Sequence, residues 1–357
     1  MNVQRSVLLT LSLLLGACAG APKKPSEVVW PRPPDTARIR FVRAFAAEAD
    51  LGLTGWQAFS RALTGDEVTL ALHQPTGLAL HKNDKELYIA NGPVALVVKI
   101  DFENNRMIRV ADADGYAPQF PFDLDLDVAG NLYVTDSRAR NVKVFSSGGK
   151  FLREFGGKLF VRPTGIVIDK ERALVYVADG ANRDSDHHVV EVFSTAGEHL
   201  RTIGKKGSAP GEFYFPVYLT LDARGYLYVG DTMNFRIQTF DTEGNFVSTY
   251  GEHGNTAGQF SRIKGLSFDA FGNLHVVDGE FGVVQIFNPD MQLLMAYGGR
   301  AKLLEYFDLP TAITIDGKNN IYVANFLVAR VNQYEMINTA AEDSFMLPAP
   351  KGESEAE

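Results

Sequence analysis

A polar loop in the middle of the chain carries the residue types that bind metal ions. Asn182, Asp184 and Asp186 alternate with a spacing of two, as oxygen ligands do at the start of a calcium-binding loop. His187 and His188 follow directly and could add ligands for a transition metal. No glycine stands where a calcium loop turns, and no glutamate follows at the offset of a bidentate ligand. The pattern favours a solvated polar loop over a metal site, and we predict no bound metal or other cofactor.

An enzyme would need polar groups that converge, and two charged residues are candidates for a ligand site. Asp123 and Lys264 each stand near the start of a repeated apolar strand, where both could flank a ligand in a central channel. His275 lies within another strand, where a hydrogen-bonded core histidine is the more common arrangement. The chain has no serine-hydrolase elbow, no His-Glu-x-x-His and no Walker loop. A metal-dependent hydrolase or lyase that uses the channel is an alternative, but a non-enzymatic role is favoured.

These residues lie in a sequence that repeats. A short apolar segment that closes with Asp or Asn occurs six times, at 87–91, 132–136, 175–179, 227–231, 274–278 and 321–325. The steps between copies, counted from Tyr88 to Tyr322, are 45, 43, 52, 47 and 47 residues. Strand-rich repeats of this size are typical of β-propellers, in which each repeat forms one blade. The sequence therefore predicts an all-β, six-bladed β-propeller.

The fourth copy is the most complete and indicates a family. Gly211-Glu212-Phe213, Pro216 and the segment 227–240 closely resemble the NHL repeat, and weaker copies extend from residue 74 to about residue 335. The resemblance implies a bacterial six-bladed NHL-repeat β-propeller. It says little about activity, because propellers of this kind host binding, sensing and catalysis.

The family motif also implies a role for one acidic residue per blade. An Asp that ends the second strand and an Arg that opens the third are expected to brace the turn between them, as Asp231 and Arg236 could do here. Other copies match only in part, with Asp136, Asp179, Asp278 or Arg330 but not the full pair. We expect these carboxylates to be structural, and a partly exposed pair of this kind to contribute only about 0.2–1 kcal/mol.

The N-terminus is predicted to target the protein to a membrane. Arg5 precedes an apolar run that is too short to span a bilayer comfortably, and Leu15-Gly16-Ala17-Cys18 follows. This segment resembles the lipobox of bacterial lipoproteins, and Cys18 is the only cysteine of the chain. The resemblance implies that residues 1–18 are a lipoprotein signal peptide and that Cys18 is lipidated. The residue that follows, Ala19, implies delivery to the outer membrane of a Gram-negative bacterium.

Composition and patterning divide the remainder of the chain. Residues 19–37 contain five prolines and are predicted to form an extended tether. Residues 38–46 alternate charged and apolar side chains, as a strand does, and we expect this strand to complete the last blade and close the ring. The propeller is thus predicted to span residues 38–337. The acidic tail, residues 338–357, is expected to be disordered.

Propeller topology predicts which loops meet. The turns between second and third strands and the connections between blades lie on one face, here called the upper face. Five residues on this face are candidates for binding a partner protein, because aromatic and arginine side chains are enriched at protein interfaces. They are Arg138, Arg140, Phe235, Phe281 and Phe326. The phenylalanines in the loops that lead into the blades are instead expected to pack between blades.

Charge limits the partners further. The formal net charge is −8, so there is no basic stripe of the kind that binds nucleic acid. We therefore expect a lipid-anchored binding or scaffold protein of the cell envelope, with an envelope protein as its partner. Propellers of this type resemble accessory subunits of multihaem cytochrome assemblies, although this chain has no Cys-x-x-Cys-His for haem attachment. An envelope sensor that binds a small ligand is a further alternative.

Overall fold

Six antiparallel sheets form a closed ring in the computed structural model, which describes residues 27–52, 70–81, 84–113, 115–301 and 303–339. The innermost strand of each sheet contacts the innermost strand of the next, and the sixth contacts the first. The prediction of an all-β, six-bladed propeller is confirmed.

Each of the first five blades is built from four strands that follow one another in the chain, from the channel outwards. Blades one and two contain β3 (Gly77–Leu80), β4 (Glu86–Asn91), β5 (Leu96–Asp101) and β6 (Arg106–Val110), then β7 (Pro121–Leu126), β8 (Leu132–Asp136), β9 (Asn141–Phe145) and β10 (Phe151–Phe155). Blade three contains β11 (Pro163–Asp169), β12 (Leu174–Asp179), β13 (Val189–Ser194) and β14 (His199–Ile203). Blades four and five contain β15 (Pro216–Leu221), β16 (Leu227–Asp231), β17 (Arg236–Phe240) and β18 (Phe246–Tyr250), then β19 (Ile263–Phe268), β20 (Leu274–Asp278), β21 (Val283–Phe287) and β22 (Leu293–Gly298). Short 3-10 turns occupy Glu48–Leu51, Gly92–Val94, Gly157–Leu159 and Thr232–Asn234.

The sixth blade joins the two ends of the described chain. Its strands are β23 (Pro310–Ile315), β24 (Asn320–Asn325), β25 (Arg330–Met336), β2 (Ile39–Phe45) and β1 (Val29–Trp30), in this order from the channel. Strand β2 pairs antiparallel with β25, from Ile39 opposite Met336 to Phe45 opposite Val331. The N-terminal strand therefore closes the ring, as its alternating pattern predicts.

The segment before this strand differs from the extended tether predicted for residues 19–37. Trp30 is only 7% exposed and packs against the rings of Tyr297, Tyr306 and Tyr334. Strand β1 pairs with β2, so the described part of the segment lies on the sixth blade. Burying a large aromatic side chain outweighs the preference of a proline-rich segment for solvent. Residues 19–26 lie outside the described residues.

Buried phenylalanines fill the spaces between blades, as expected for the lead-in loops. Phe213, Phe260 and Phe307 are fully buried, each nine residues after a glycine with positive φ. A Cβ added at Gly298 would lie 2.2 Å from the Phe307 ring, and Gly204 and Gly251 meet their phenylalanines equally closely. The glycine and the ring therefore act as one packing unit.

Hydroxyl groups tie neighbouring blades together at the upper end of the channel. At five of the six junctions among the described residues, a Ser or Thr hydroxyl donates to the carbonyl of the residue that opens the next blade. The pairs are Thr76 to Pro121, Ser137 to Pro163, Thr164 to Pro216, Thr232 to Ile263 and Thr311 to Pro75. At the other junctions the hydroxyl comes from one of two positions in the blade. In blade five these two positions are occupied by Lys264 and Gly279, which have no hydroxyl. No described hydroxyl reaches Pro310 at the junction of blades five and six.

Two predictions fall beyond the described residues. Cys18 and the rest of the segment 1–18 lie outside them, as does the tail from residue 340 onwards. Among the described residues, no helix has the length and apolar character needed to cross a membrane.

Candidate functional site

The carboxylates that end the second strands hold the lead-in loops in place. Asp136 accepts the backbone N–H groups of Gln119 and Phe120, at 2.7 and 3.0 Å. Asp179 and Asp278 accept the corresponding pairs of N–H groups in their own blades. All three are fully buried. These oxygens are committed to the backbone, which fits the structural role expected for them.

Blade four contains both residues of the expected brace, Asp231 and Arg236, and this ion pair is more buried than expected. Arg236 Nε donates to Asp231 Oδ2 at 2.9 Å, with the Asp231 side chain fully buried and that of Arg236 only 12% exposed. The expectation of a partly exposed pair is therefore wrong, because the lead-in loop folds over both groups. In blade two Lys143 supplies the missing cation, with Nζ 3.3 Å from Asp136. It stands two residues beyond the aligned arginine position, which is why the motif comparison misses it.

The polar loop between β12 and β13 does not gather its candidate ligands. Asp186 is exposed and pairs with Lys206 at 3.2 Å. His188 is fully buried, and its Nδ1 accepts the backbone N–H of Phe215. His187 turns instead towards Glu191, 3.3 Å away. Within the described ranges, no three His, Cys, Asp or Glu side chains form a group that could hold a metal ion.

Glu191 gives this loop a pH dependence that can be measured. The neighbouring Glu191 carboxylate raises the pKa of His187. Burial opposes ionisation of Glu191, but the contacts from His187, Thr202 and His199 lower its pKa overall. The histidine contributes stability that is lost as the pH rises above about 6.5, and the glutamate contributes stability that is lost as the pH falls below about 4.5. We expect amide exchange in residues 180–188, corrected for its intrinsic rate, to be slowest between these values.

The variant His187→Gln should lose the decrease in protection above about pH 6.5. His253→Gln, in the lead-in loop of blade five, should retain it. An unchanged profile in His187→Gln would contradict the assignment.

The central channel is closed across its width by one side chain. Tyr218 of blade four reaches the opposite side of the ring, where its hydroxyl donates to the carbonyl of Thr76 in blade one at 3.0 Å. Its ring lies 5.8 Å from that of Phe122, and the side chain is only 4% exposed. Burial, with the nearby Asp123 carboxylate as a second cause, raises the pKa of Tyr218 well above its usual value. The phenol therefore acts as a neutral plug.

A cavity of about 300 Å³ lies below Tyr218 and faces the turns between first and second strands. Its apolar wall contains Leu78, Leu124, Ile166, Leu219, Leu266 and Ile313, one from each blade. One residue further along the innermost strands, towards the lower face, lies a more polar band that includes Asp125, Thr220, Ser267 and Thr314. Asp84 and Lys170 stand at the outer end. This volume is at the lower limit of ordinary ligand pockets.

The two channel candidates are in different environments. Asp123 lines the cavity and accepts the N–H of Ile166 at 3.2 Å, and burial raises the pKa of its carboxyl well above the usual value. Lys264 does not line the cavity. It stands one position earlier on its strand, nearer the upper face, with the charges of Arg162 and Arg262 acting on it. The structure does not place Asp123 and Lys264 on a shared site.

The five partner-binding candidates all lie on loops of the upper face, spread over four blades. Arg138 and Arg140 of blade two are exposed. Phe235, Phe281 and Phe326 are half-buried, and the Phe235 ring lies 4.3 Å from that of His253. The backbone of both Arg140 and Phe235 has positive φ, at 59° and 57°. Loop geometry thus presents these two side chains at the cost of backbone strain.

A second set of apolar side chains on this face was missed from the sequence. They are between 40% and 60% exposed, and they are Val94, Tyr116, Leu159, Met233, Leu303, Leu304 and Leu327. Tyr116 and Leu159 lie in the lead-in loops of blades two and three. The other five belong to blades one, four and six, and Phe281 of blade five lies between blades four and six in ring order. The available signal was the adjacent apolar pair Leu303-Leu304, between Lys302 and Glu305 in the lead-in loop.

His275 is a core residue, as expected. It is fully buried, and its Nε2 lies 3.2 Å from Oδ2 of the equally buried Asp269.

Comparisons with solved structures agree with the ring architecture. A protein of unknown function from Bacteroides thetaiotaomicron is 16% identical, with a TM-score of 0.58 over 74% of this chain and 70% of that one. An auxiliary nutrient binding protein from the same organism is 15% identical, with a TM-score of 0.58 over 74% and 69% of the two chains. A streptogramin B lyase is 13% identical, with a TM-score of 0.55 over 74% and 94%. At these identities the similarity shows the fold alone. No protein-family model and no curated protein matches the chain.

Proposed function

We propose that this protein is an NHL-type propeller lipoprotein of the bacterial cell envelope that binds another envelope protein through its upper face. The observation that carries the proposal is the exposure of Val94, Met233, Leu303, Leu304 and Leu327 on loops of one face. Exposed apolar clusters with polar neighbours mark interaction sites on soluble domains.

The charged residues beside the apolar side chains indicate what kind of partner would bind. The exposed apolar residues of blades four, six and one form an arc on the upper face. Arg138 and Arg140 are exposed in blade two, next to blade one in the ring, so cationic side chains border this arc. Interfaces combine an apolar centre with a polar rim, and arginine contributes strongly to many of them. The proposed partner therefore has an apolar patch with acidic residues at its edge.

The lipobox-like segment and the known propellers support the remainder of the proposal. Acylation of Cys18 would attach the chain to the outer membrane, and several acyl chains anchor more firmly than one. One of the structurally similar propellers is described as a nutrient binding protein, which fits a binding role for this fold.

The test uses two positions at which glycine suits the backbone. Arg140→Gly and Phe235→Gly remove the side chains at positive φ, so the fold should be retained. We expect the double variant to recover about tenfold less of the natural partner from solubilised membranes, because aromatic and arginine side chains are frequent hot spots.

The matched control makes the same backbone change on the opposite face. Asn105 and Ala173 have φ of 51° and 54°, and their turns lie on the lower face. The pair Asn105→Gly and Ala173→Gly should recover the partner normally. Equal recovery by both double variants would refute docking through the upper face.

The lower cavity supports a second candidate function, the binding of a small polar molecule. Asp123 and Asp125 line it, and burial raises the pKa of both carboxyls. Carboxyl groups of this kind could serve a ligand sensor or the hydrolase or lyase alternative, and one similar propeller is a streptogramin B lyase. Both carboxylates accept backbone N–H groups of β11, however, which favours the docking role.

A further inference from the structure

The junction of blades five and six lacks the hydroxyl that ties the other blades together. Where Thr76, Thr164 and Thr311 follow the residue that opens their blades, blade five has Lys264. Its stem runs along Gly279, at which an added Cβ would lie 3.0 Å from Lys264 Cγ and 3.1 Å from the carbonyl of Pro310. The chain thus gives up an interblade hydrogen bond and a side chain at residue 279 to place an amine at the channel mouth.

The amine has no counterion among the described residues. No carboxylate of the described chain lies within ion-pair distance of Lys264 or of Arg162. Arg262 has only Glu280, 3.9 Å away, and both of those side chains are about half exposed. An uncompensated amine in a recessed position is costly unless an anion approaches it.

Two layers of residues at the mouth contain no acidic side chain. The residue immediately before each opening position is Gln74, Phe120, Arg162, Phe215, Arg262 or Leu309. The residues one position after it are Thr76, Phe122, Thr164, Val217, Lys264 and Thr311. Three cations and no carboxylate therefore occupy these two layers, although the chain as a whole is acidic.

Charges from two blades, on either side of blade four, act on Lys264. Arg162 of blade three and Arg262 of blade five both lower the pKa of Lys264, after burial, which is the largest cause. Arg162 also acts on the Tyr218 plug. Arg162 and Arg262 precede the innermost strands of their blades and Lys264 stands at the start of one, so the three cations lie at the upper end of the channel, on the side of Tyr218 away from the cavity. We call this part of the channel mouth the recess.

We propose that this recess binds a small oxyanion, a carboxylate or phosphate group, through Lys264 with Arg162 and Arg262 at its rim. The lysine is less exposed than the two arginines, so a small diffusing ligand reaches it more readily than a protein surface does. The proposal is independent of partner docking, which uses the outer loops of the same face.

Competitive labelling tests the proposal on the full chain. Lys264 should react with acetic anhydride faster than Lys205, whose side chain is 75% exposed, because burial lowers the pKa of Lys264 to about 8. Inorganic phosphate, acetate and succinate are added in turn, with chloride at equal ionic strength as the reference. We expect at least one of the three to slow labelling of Lys264 roughly fivefold at about 80% occupancy, and to leave Lys205 unchanged. The anion that protects identifies phosphate or carboxylate as the preferred class.

The variant Lys264→Thr keeps the test independent of folding. Threonine restores the residue type used at three other junctions, so this variant should fold. It should lose the rise in melting temperature that the protecting anion causes, and Lys205→Thr should keep it. The proposal is overturned if no anion protects Lys264, or if Lys264→Thr shows the same anion-dependent rise as the parent.

Discussion

Replacing Asp231 by alanine is expected to lower the free energy of unfolding by about 3–5 kcal/mol, the usual cost of removing one partner of a buried ion pair. Its carboxylate accepts the backbone N–H of Tyr214 at 2.7 Å and the Asn234 amide at 2.8 Å, in addition to Arg236. Alanine leaves the Arg236 charge without its counterion and frees the Tyr214 N–H. Denaturant unfolding of the full chain measures the loss.

The chain provides its own control for this variant. Blades one and six carry Asn91 and Asn325 at the equivalent position, and each accepts one backbone N–H of its lead-in segment through Oδ1. Asp231→Asn also removes the counterion of Arg236, but its amide oxygen can still accept a backbone N–H of the lead-in loop, so it should cost about 1–2 kcal/mol less than alanine. If alanine costs no more than asparagine, the hydrogen bonds of this side chain do not hold the lead-in loop.

The effect should be larger than at Asp136, because the cation paired with Asp231 makes more contacts of its own. Arg236 also donates to the carbonyls of Ser208, Ala209 and Glu212, so it links Asp231 to the whole lead-in loop of blade four. Lys143, the cation of blade two, donates to the single carbonyl of Ala117. Loss of Asp231 would release more of the upper face.

Local patterns determine most of the ring, which is why the sequence predicts it. The repeated strand pattern sets the number of blades, and the alternation in residues 38–46 identifies the closing strand. The segment around Trp30 was assigned to a tether because its prolines carry a strong local signal. Its aromatic partners Tyr297 and Tyr334 lie more than 250 positions away in the sequence, and no local pattern can show them.

The candidate site was harder to predict, since it depends on which side chains cross the channel. Asp123 and Lys264 appear comparable in sequence, yet they stand at different positions relative to the start of their strands. The junction hydroxyls alternate between two positions, as Thr76 and Ser137 illustrate, so they do not align as one motif. Only the ring shows that one junction lacks its hydroxyl.

Replacing Tyr218 by alanine is expected to have an equally large effect, about 3–5 kcal/mol, because it removes a buried aromatic side chain at the centre of the ring. Tyr218→Phe keeps the ring and loses only the bond to Thr76, at a cost of about 0.5–1.5 kcal/mol. Thermal unfolding and amide exchange of β15 and β23 measure the difference. Equal stability of the two variants would show that the ring does not support the inner strands.

The same pair of variants tests whether the plug limits the hydration of the Lys264 amine. Burial lowers the pKa of Lys264 to about 8, and Arg162 acts on both this amine and Tyr218. In Tyr218→Ala the lower cavity would join the recess, and water would solvate the charged amine better. The pKa of Lys264, measured by the pH dependence of its acetylation, should rise towards that of a free lysine, whereas Tyr218→Phe should leave it unchanged. An unchanged value in both variants would assign the low pKa to the two arginines, which act through space whether or not the channel is plugged.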